Sequence, residues 1–314
     1  MLAAGAREPF LAVLAGALAV LLIASAVARG LRARGGGIDT AELDNLDARI
    51  RSWWVMVALL AGAAAVGYAG VVALFAVVSW LALRELIANA PGSIRDPALD
   101  RTCTALVVLQ YALVAHGDAR LATVALPLVA PPVLAAVALA SGGGRDLGRR
   151  VARRLPWLVI AGWGLSYVPL LVALDAPESA GGGILLFVWL IVVAQGSDVL
   201  QYIVGKLAGR RRIAPVVSPD KTVEGFVGGA ALAVAIGAAL HGITPFDPRL
   251  AALAALVVTT LGFAGGLVLS GWKRRYGIKD WGRTIRGHGG VLDRVDSLWL
   301  SAPALYGVAA MAVR

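Results

Sequence analysis

Between Ser270 and Asp296 the chain reads SGWKRRYGIKDWGRTIRGHGGVLDRVD, with three carboxylates (Asp280, Asp293 and Asp296) and seven Lys or Arg side chains. Such an inventory suits a divalent cation and several phosphates: Mg2+ takes one or two carboxylates and completes its shell with substrate phosphates. Asp293 and Asp296 are three residues apart, so on a helix they share a face. They precede an apolar run and would stand at its N-terminal end, where unpaired N–H groups and the helix dipole favour anions. Asp280 lies upstream, and Gly282, Gly287, Gly289 and Gly290 let the intervening loop fold back. Lys273, Arg274, Lys279 and Arg294 are candidate phosphate ligands, because chemistry at phosphorus depends on positioning and on neutralising developing charge. His288, set between glycines, fits a hydrogen-bond donor to phosphate or an acid/base group, and equally fits a turn residue. The bland alternative is that the acids only neutralise nearby Arg residues, and that Arg275, Arg283 and Arg286 partly reflect the cytoplasmic bias of basic loops.

A second polar cluster lies upstream. Gln195, Asp198 and Tyr202 recur at helical spacing on one face near the inner end of an apolar run, with Gly205-Lys206 following. Ionisable groups at membrane depth are expensive, so such a face is a functional-site candidate, against the alternative of an ordinary interfacial helix end. Next comes Ser218-Pro219-Asp220-Lys221-Thr222-Val223-Glu224-Gly225, a turn-rich stretch with a Lys and a Glu just before the next apolar run.

The elements that must position these groups are membrane helices. The chain has 314 residues, of which 59% are hydrophobic and only 15% charged, with a mean hydropathy of +0.79. The apolar runs are continuous rather than alternating, which favours helices over a barrel. Spans are expected at 9–28, 53–67, 70–87, 102–116, 120–140, 156–174, 182–204, 225–245, 250–270 and 298–313. The uncharged stretch around 53–83 is long for one span and short for two, so the count is nine or ten. The loops 29–52, 84–101, 141–155, 205–224 and 271–297 carry nearly all the Lys and Arg, which places them in the cytoplasm and both termini outside. The same rule explains the net charge of +10 without a nucleic-acid partner. Residues 39–54, with Asp39 as a cap and Leu43, Leu46, Ile50, Trp53 and Trp54 on one face, read as an interfacial amphipathic helix feeding the second span. The 9–28 run is followed by Arg29, Arg32 and Arg34 and reads as a retained span rather than a cleaved leader. Cys103 is the only cysteine, so no intramolecular disulfide forms. The polar content divides the chain into an N-terminal membrane region, 1–180, and a C-terminal catalytic membrane region, 181–314, with the working loops at 205–224 and 271–297.

The order Ser270, Lys273-Arg274, Lys279-Asp280, His288-Gly289-Gly290, Asp293-Arg294-Val295-Asp296 resembles the signature of the phosphatidate cytidylyltransferases. Asp198, Tyr202 and Gly205 are similar to that family's Asp-x-x-x-Tyr-x-x-Gly, and Ser218 to Gly225 to its Ser-Pro-x-Lys-Thr-x-Glu-Gly. The resemblance covers about residues 190–300. It implies an all-α polytopic protein of the inner membrane with a cytoplasmic active site, joining CTP and phosphatidic acid into CDP-diacylglycerol with Mg2+ on Asp280, Asp293 and Asp296. It further implies nucleotide contacts from Asp198, Tyr202, Ser218, Lys221, Ser270, Lys273, Arg274 and Arg294, a loop-ordering role for Glu224, and a homodimer. Two positions depart from the pattern. Many bacterial members carry an Asp four residues before the signature Ser, where this chain has Gly266. The usual Ile-Pro-Gly is here Ile285-Arg286-Gly287. These departures point to a divergent paralogue. The alternatives are a CTP-dependent enzyme of another lipid (a polyprenol kinase or CDP-archaeol-type synthase) and an inactive homologue. A transporter would spread its acids through several spans at mid-depth.

Overall fold

The computed structural model describes residues 4–34, 39–92, 95–142, 144, 146–174, 182–285, 287 and 289–313. Five helices lead from the N-terminus: α1 Ala4–Arg34, α2 Thr40–Val66, α3 Tyr68–Ala88, α4 Pro97–His116 and α5 Ala119–Gly142. The sixth span joins α6 Leu147–Trp157 to α7 Leu165–Val172 through a π-helical segment, Leu158–Gly164. Then follow α8 Gly182–Ala208, a β-hairpin (β1 Arg212–Ala214, β2 Ser218–Thr222), α9 Val223–Ala239, α10 Pro248–Arg275, the single turn α11 Leu292–Val295, and α12 Leu298–Ala312.

Eight of these segments are long and apolar enough to cross a bilayer. Every expected span coincides with a helix, but α9 and α12 have only 17 and 15 residues. At 1.5 Å per residue they reach roughly 25 and 22 Å, short of a ~30 Å hydrocarbon core. The ambiguous 53–87 stretch is two helices. Gly67 breaks them with φ +91 and ψ −152, a conformation that side-chain-bearing residues avoid. Residues 40–52 and the second span form one continuous helix, capped by the Asp39 carboxylate, which accepts from the Ala41 N–H at 3.1 Å.

The core is aliphatic and aromatic. Phe75 of α3 meets Phe187 of α8 edge-on, and Trp189 of α8 meets Phe246, its indole N–H donating to the Gly237 carbonyl at 3.0 Å. Small residues bring the C-terminal helices together, as expected where no hydrophobic force drives association within lipid. A Cβ on Gly229 would fall 2.5 Å from the Gln201 backbone, and one on Gly265 would fall 2.8 Å from the Asp296 carbonyl. The N-terminal region is tied by charge: Arg154 of α6, fully buried, pairs with Asp100 of α4 at 2.9 Å, and Arg150 with Asp96 at 2.6 Å. Cys103 is buried and free beside them.

Candidate functional site

Three elements converge: the C-terminal end of α8, the β-hairpin, and the C-terminal half of α10 facing the 290–297 turn. Along α10, Gly266, Ser270 and Lys273 follow one another at i, i+4 and i+7, one side of the helix. The glycines above them let the turn approach. A Cβ on Gly262 would meet Ser297 at 3.2 Å, and one on Gly266 would lie 3.4 Å from an Asp296 carboxylate oxygen and 3.3 Å from Lys221 Nζ. The hairpin, paired antiparallel as Arg212↔Thr222 and Ala214↔Ser218, carries Lys221 to that spot. There its ammonium rests 4.3 Å from the centre of the Phe263 ring.

The result is a half-buried charged cluster. Asp198 lies in the field of Asp296, Lys221 and Arg294 and hydrogen-bonds Ser297. Burial pushes the Asp296 carboxyl up from its ordinary value, against the opposing pull of Lys273, Lys221 and Arg294. Burial pushes the Lys221 ammonium down, while Asp198 and Asp296 pull it back up. Gln195 donates to the Arg294 carbonyl at 3.3 Å, so α8 holds the turn at both ends of the cluster. Arg294 itself keeps a buried Nε–H with no hydrogen-bond partner among the described residues.

Asp296 and Ser297 keep right-handed helical backbone angles between the single turn α11 and α12, and Asp293 and Asp296 both lie in reach of the Lys273 charge. Asp296 also lies in the field of Lys221 and Arg294, while Asp293 also binds the preceding loop. The Asp293 carboxylate is fully engaged there: Oδ1 accepts from Lys273 Nζ at 2.7 Å, and Oδ2 from the backbone N–H groups of Trp281 and Gly290 at 2.8 and 2.9 Å. Asp280 and Lys279 are exposed at the loop surface. Asp280 nevertheless passes close to Asp293, and a Cβ on Gly289, held at φ +84, would lie 2.8 Å from Asp293 Oδ2 and 3.0 Å from Asp280 Cβ. The three acids read as one metal set are thus not gathered as one, and among the described residues no three acidic, His or Cys side chains form a metal-sized group. His288 and Arg286 lie outside the described residues.

The remaining expected residues frame the cluster. Glu224 Oε2 accepts from the N–H groups of Arg210 and Arg211 at 2.9 and 3.0 Å, fixing the entry to the hairpin, while Thr222 caps α9 through the Gly225 N–H. Arg274 donates to the Val217 and Ile278 carbonyls, tying hairpin to loop. Ser218 begins β2 at half burial, and Tyr202 is 56% exposed beneath Lys206.

One residue escaped the sequence. Glu85, at the end of α3 and 8% exposed, accepts from Thr284 Oγ1, the Val291 N–H and the Leu292 N–H, each at 2.9 Å. Its neighbour Asn89 donates to the Trp281 carbonyl. A Cβ on Gly282 would fall 2.6 Å from the Glu85 carboxylate, and Gly290 approaches it as closely. An acid closing an otherwise apolar span was the only available signal.

Acids and bases from α8, α10, the hairpin and the 290–297 turn thus share one charged cluster, built on glycine-packed helices. The sequence pattern of the cytidylyltransferase family matches residues 47–312, and the chain belongs to that family. It is 31% identical over 295 residues to the uncharacterized protein YnbB of Escherichia coli (strain K12), covering 93% of this chain and 96% of that one. It is 38% identical over 132 residues to the phosphatidate cytidylyltransferase of Staphylococcus haemolyticus, and 39% identical over 130 residues to that of Staphylococcus aureus (strain COL). Those matches cover 41% of this chain and about half the length of the staphylococcal enzymes.

Proposed function

We propose that this protein transfers the cytidylyl group of CTP to phosphatidic acid, giving CDP-diacylglycerol and pyrophosphate at the cytoplasmic face of the membrane. The observation that carries the reading is the convergence of Asp198, Lys221, Lys273, Arg294 and Asp296, from three separate sequence motifs, on one half-buried cluster. A phosphate oxygen of the lipid forms a bond to the α-phosphorus of CTP. The bond from that phosphorus to the bridging oxygen breaks, and pyrophosphate leaves with the electron pair. The lipid phosphate is already anionic near neutral pH, so no serine nucleophile or strong general base is needed. Lys221 and Lys273 neutralise phosphate oxygens as charge moves onto pyrophosphate, in a site dry enough to make each contact count. Arg294, with a buried donor left over, takes a phosphate oxygen.

Asp198 and Asp296 fit a divalent cation such as Mg2+: they are oxygen donors half-buried together, and Mg2+ is commonly held by one or two carboxylates plus substrate phosphates. The ion supplies charge neutralisation and alignment of the phosphates when bound. Asp293 orders the loop and positions Lys273. Gly266 and Arg286, with full-length similarity to YnbB, favour a second reading in which the acceptor is a different lipid phosphate.

The test is transfer of α-labelled CTP into organic-extractable product by purified protein in liposomes, with phosphatidic acid and Mg2+. Labelled lipid, lost in Asp296→Asn and without Mg2+, supports the reading. No labelled lipid with phosphatidic acid, but label with another phospholipid acid, transfers it to that acceptor. Label entering lipid only from γ-labelled CTP makes the protein a kinase instead.

A further inference from the structure

A cavity of about 630 Å3 opens between α2, α3 and α8. Its long wall is apolar, formed by Val55 and Leu59 of α2, Leu74 and Val78 of α3, and Ile191 of α8. Its other end is polar, and there Arg51, Thr284, Gln195 and Arg294 line it. From Arg51 to Leu59 the groove follows eight residues of α2, roughly 12 Å of helix. The polar end adjoins the charged cluster itself, since Gln195 holds the Arg294 carbonyl.

One charge at that end is unbalanced. Along the first turns of α2, Asp44 and Asp47 are taken by Arg32 at 2.6 and 2.9 Å, and Arg49 donates to the Gly287 carbonyl at 3.2 Å. Arg51 is left with no hydrogen bond or ion pair to any described residue, at the groove that Arg294 also lines. It is a surplus positive charge, which an anion in the groove would balance. An apolar groove with two arginines at its polar end matches one ligand chemistry, a phosphate monoester carried on long hydrocarbon chains.

We infer that this groove is the acceptor channel: the lipid's acyl chains lie along α2 and α3, and Arg51 joins Arg294 in clamping its phosphate beside the cluster. The inference rests on the cytidylyltransferase reading for the identity of the acceptor. It assigns Arg51, which belongs to none of the motifs, a substrate-binding role, and it makes the α2–α3 hairpin the element that measures the chains.

The experiment uses full-length protein in liposomes containing a phosphatidic acid with a mid-chain photoreactive diazirine, irradiated without CTP and mapped by mass spectrometry. Adducts should concentrate on the 55–60 and 74–78 segments. Excess phosphatidic acid should compete them away, and diacylglycerol should not. In transfer assays Leu59→Trp and Val78→Trp should raise KM for the lipid about tenfold with KM for CTP unchanged. Arg51→Gln should weaken lipid capture roughly tenfold or more, with partial rescue by Arg51→Lys. Leu59 is 54% exposed, so its replacement leaves the core intact, which thermal unfolding checks. Adducts in the groove without any cytidylyl transfer would keep the channel and remove the reaction. Normal transfer with adducts scattered over the lipid-facing helices, or with unchanged lipid KM in both Trp variants, would overturn the channel and leave the reaction standing.

Discussion

Glu85→Gln tests whether the α3 carboxylate holds the loop that carries the signature residues. The wild-type carboxylate accepts three hydrogen bonds at 2.9 Å, from Thr284 Oγ1 and from the amides of Val291 and Leu292, in a position 8% exposed. The amide side chain keeps one acceptor oxygen and puts an NH2 group where the other stood, so at least one backbone donor then faces a donor. A hydrogen bond to a charged group contributes about 1.5–3 kcal/mol, so the local cost is about 2 kcal/mol. Gly282 and Gly290 press against the carboxylate, which leaves little room to rotate away. Hydrogen exchange on the peptide spanning 282–292 should therefore quicken roughly 30-fold, from that same 2 kcal/mol. Cytidylyl transfer should fall with it, because Asp293 anchors through Gly290 and Trp281 in the same loop. Wild-type exchange at Val291 and Leu292 in Glu85→Gln would refute the reasoning, whatever the activity.

Asp296→Asn should abolish transfer while leaving the melting temperature near that of wild type. Asp293→Asn should lose both, since its carboxylate ties Lys273, Trp281 and Gly290; circular dichroism melts beside the label assay separate the two. Gly266→Asp should fold, because the nearest atom is the flexible tip of Lys221 at 3.3 Å, and should lower the Mg2+ concentration needed for half-maximal activity. Gly265→Ala should instead lose expression or activity, as its Cβ meets the Asp296 carbonyl at 2.8 Å and Trp299 Nε1 at 2.9 Å. The Asp96 carboxyl, although burial pushes it up, is held below its ordinary value by hydrogen bonds from Arg150 and the Leu99 N–H. A lowered folded-state value means stability present above the unfolded carboxylate range and lost as pH falls through the folded value. Acid unfolding curves should show that loss, and Asp96→Asn should flatten it.

The spans were legible because lipid leaves a helix little choice: continuous apolar runs of Leu, Ala and Val have one way to satisfy their backbone. The division at Gly67 was left open by hydropathy alone, since no charge interrupts 53–83 and only the backbone geometry of one glycine separates the helices. Glycine pairs inside apolar runs mark close approach, and a Cβ on Gly228 would meet Val204 at 2.8 Å as one on Gly229 would meet the Gln201 backbone at 2.5 Å. Which acids work together was not readable. Spacing puts Asp293 and Asp296 near one another, but it does not say that the backbone amides of Trp281 and Gly290 take up Asp293. The pairing of Asp296 with Asp198 joins residues 98 positions apart in the chain, a relation no local period encodes. Glu85 likewise acts across some 200 residues, and in sequence it looks like a span end.

Charge bookkeeping within the cluster ties the two halves of the signature together. Asp198, Asp293 and Asp296 are faced by Lys221, Lys273 and Arg294, so these groups come close to neutral by themselves. That balance lowers the cost of holding charged residues away from water. It also means that the cations are already engaged by carboxylates, so a triphosphate and a lipid phosphate arriving together bring more negative charge than the free lysines and arginine can meet. A divalent ion at Asp198 and Asp296 would release Lys221 to the phosphates, and Arg51, outside the balanced set, would supply a further positive charge for the lipid. The carboxylate that stays bound to backbone amides, Asp293, cannot take part in that exchange without unfolding its loop. On the proposed reaction two aspartates three residues apart would divide the work, Asp293 keeping the loop in place and Asp296 keeping charge available to the phosphates.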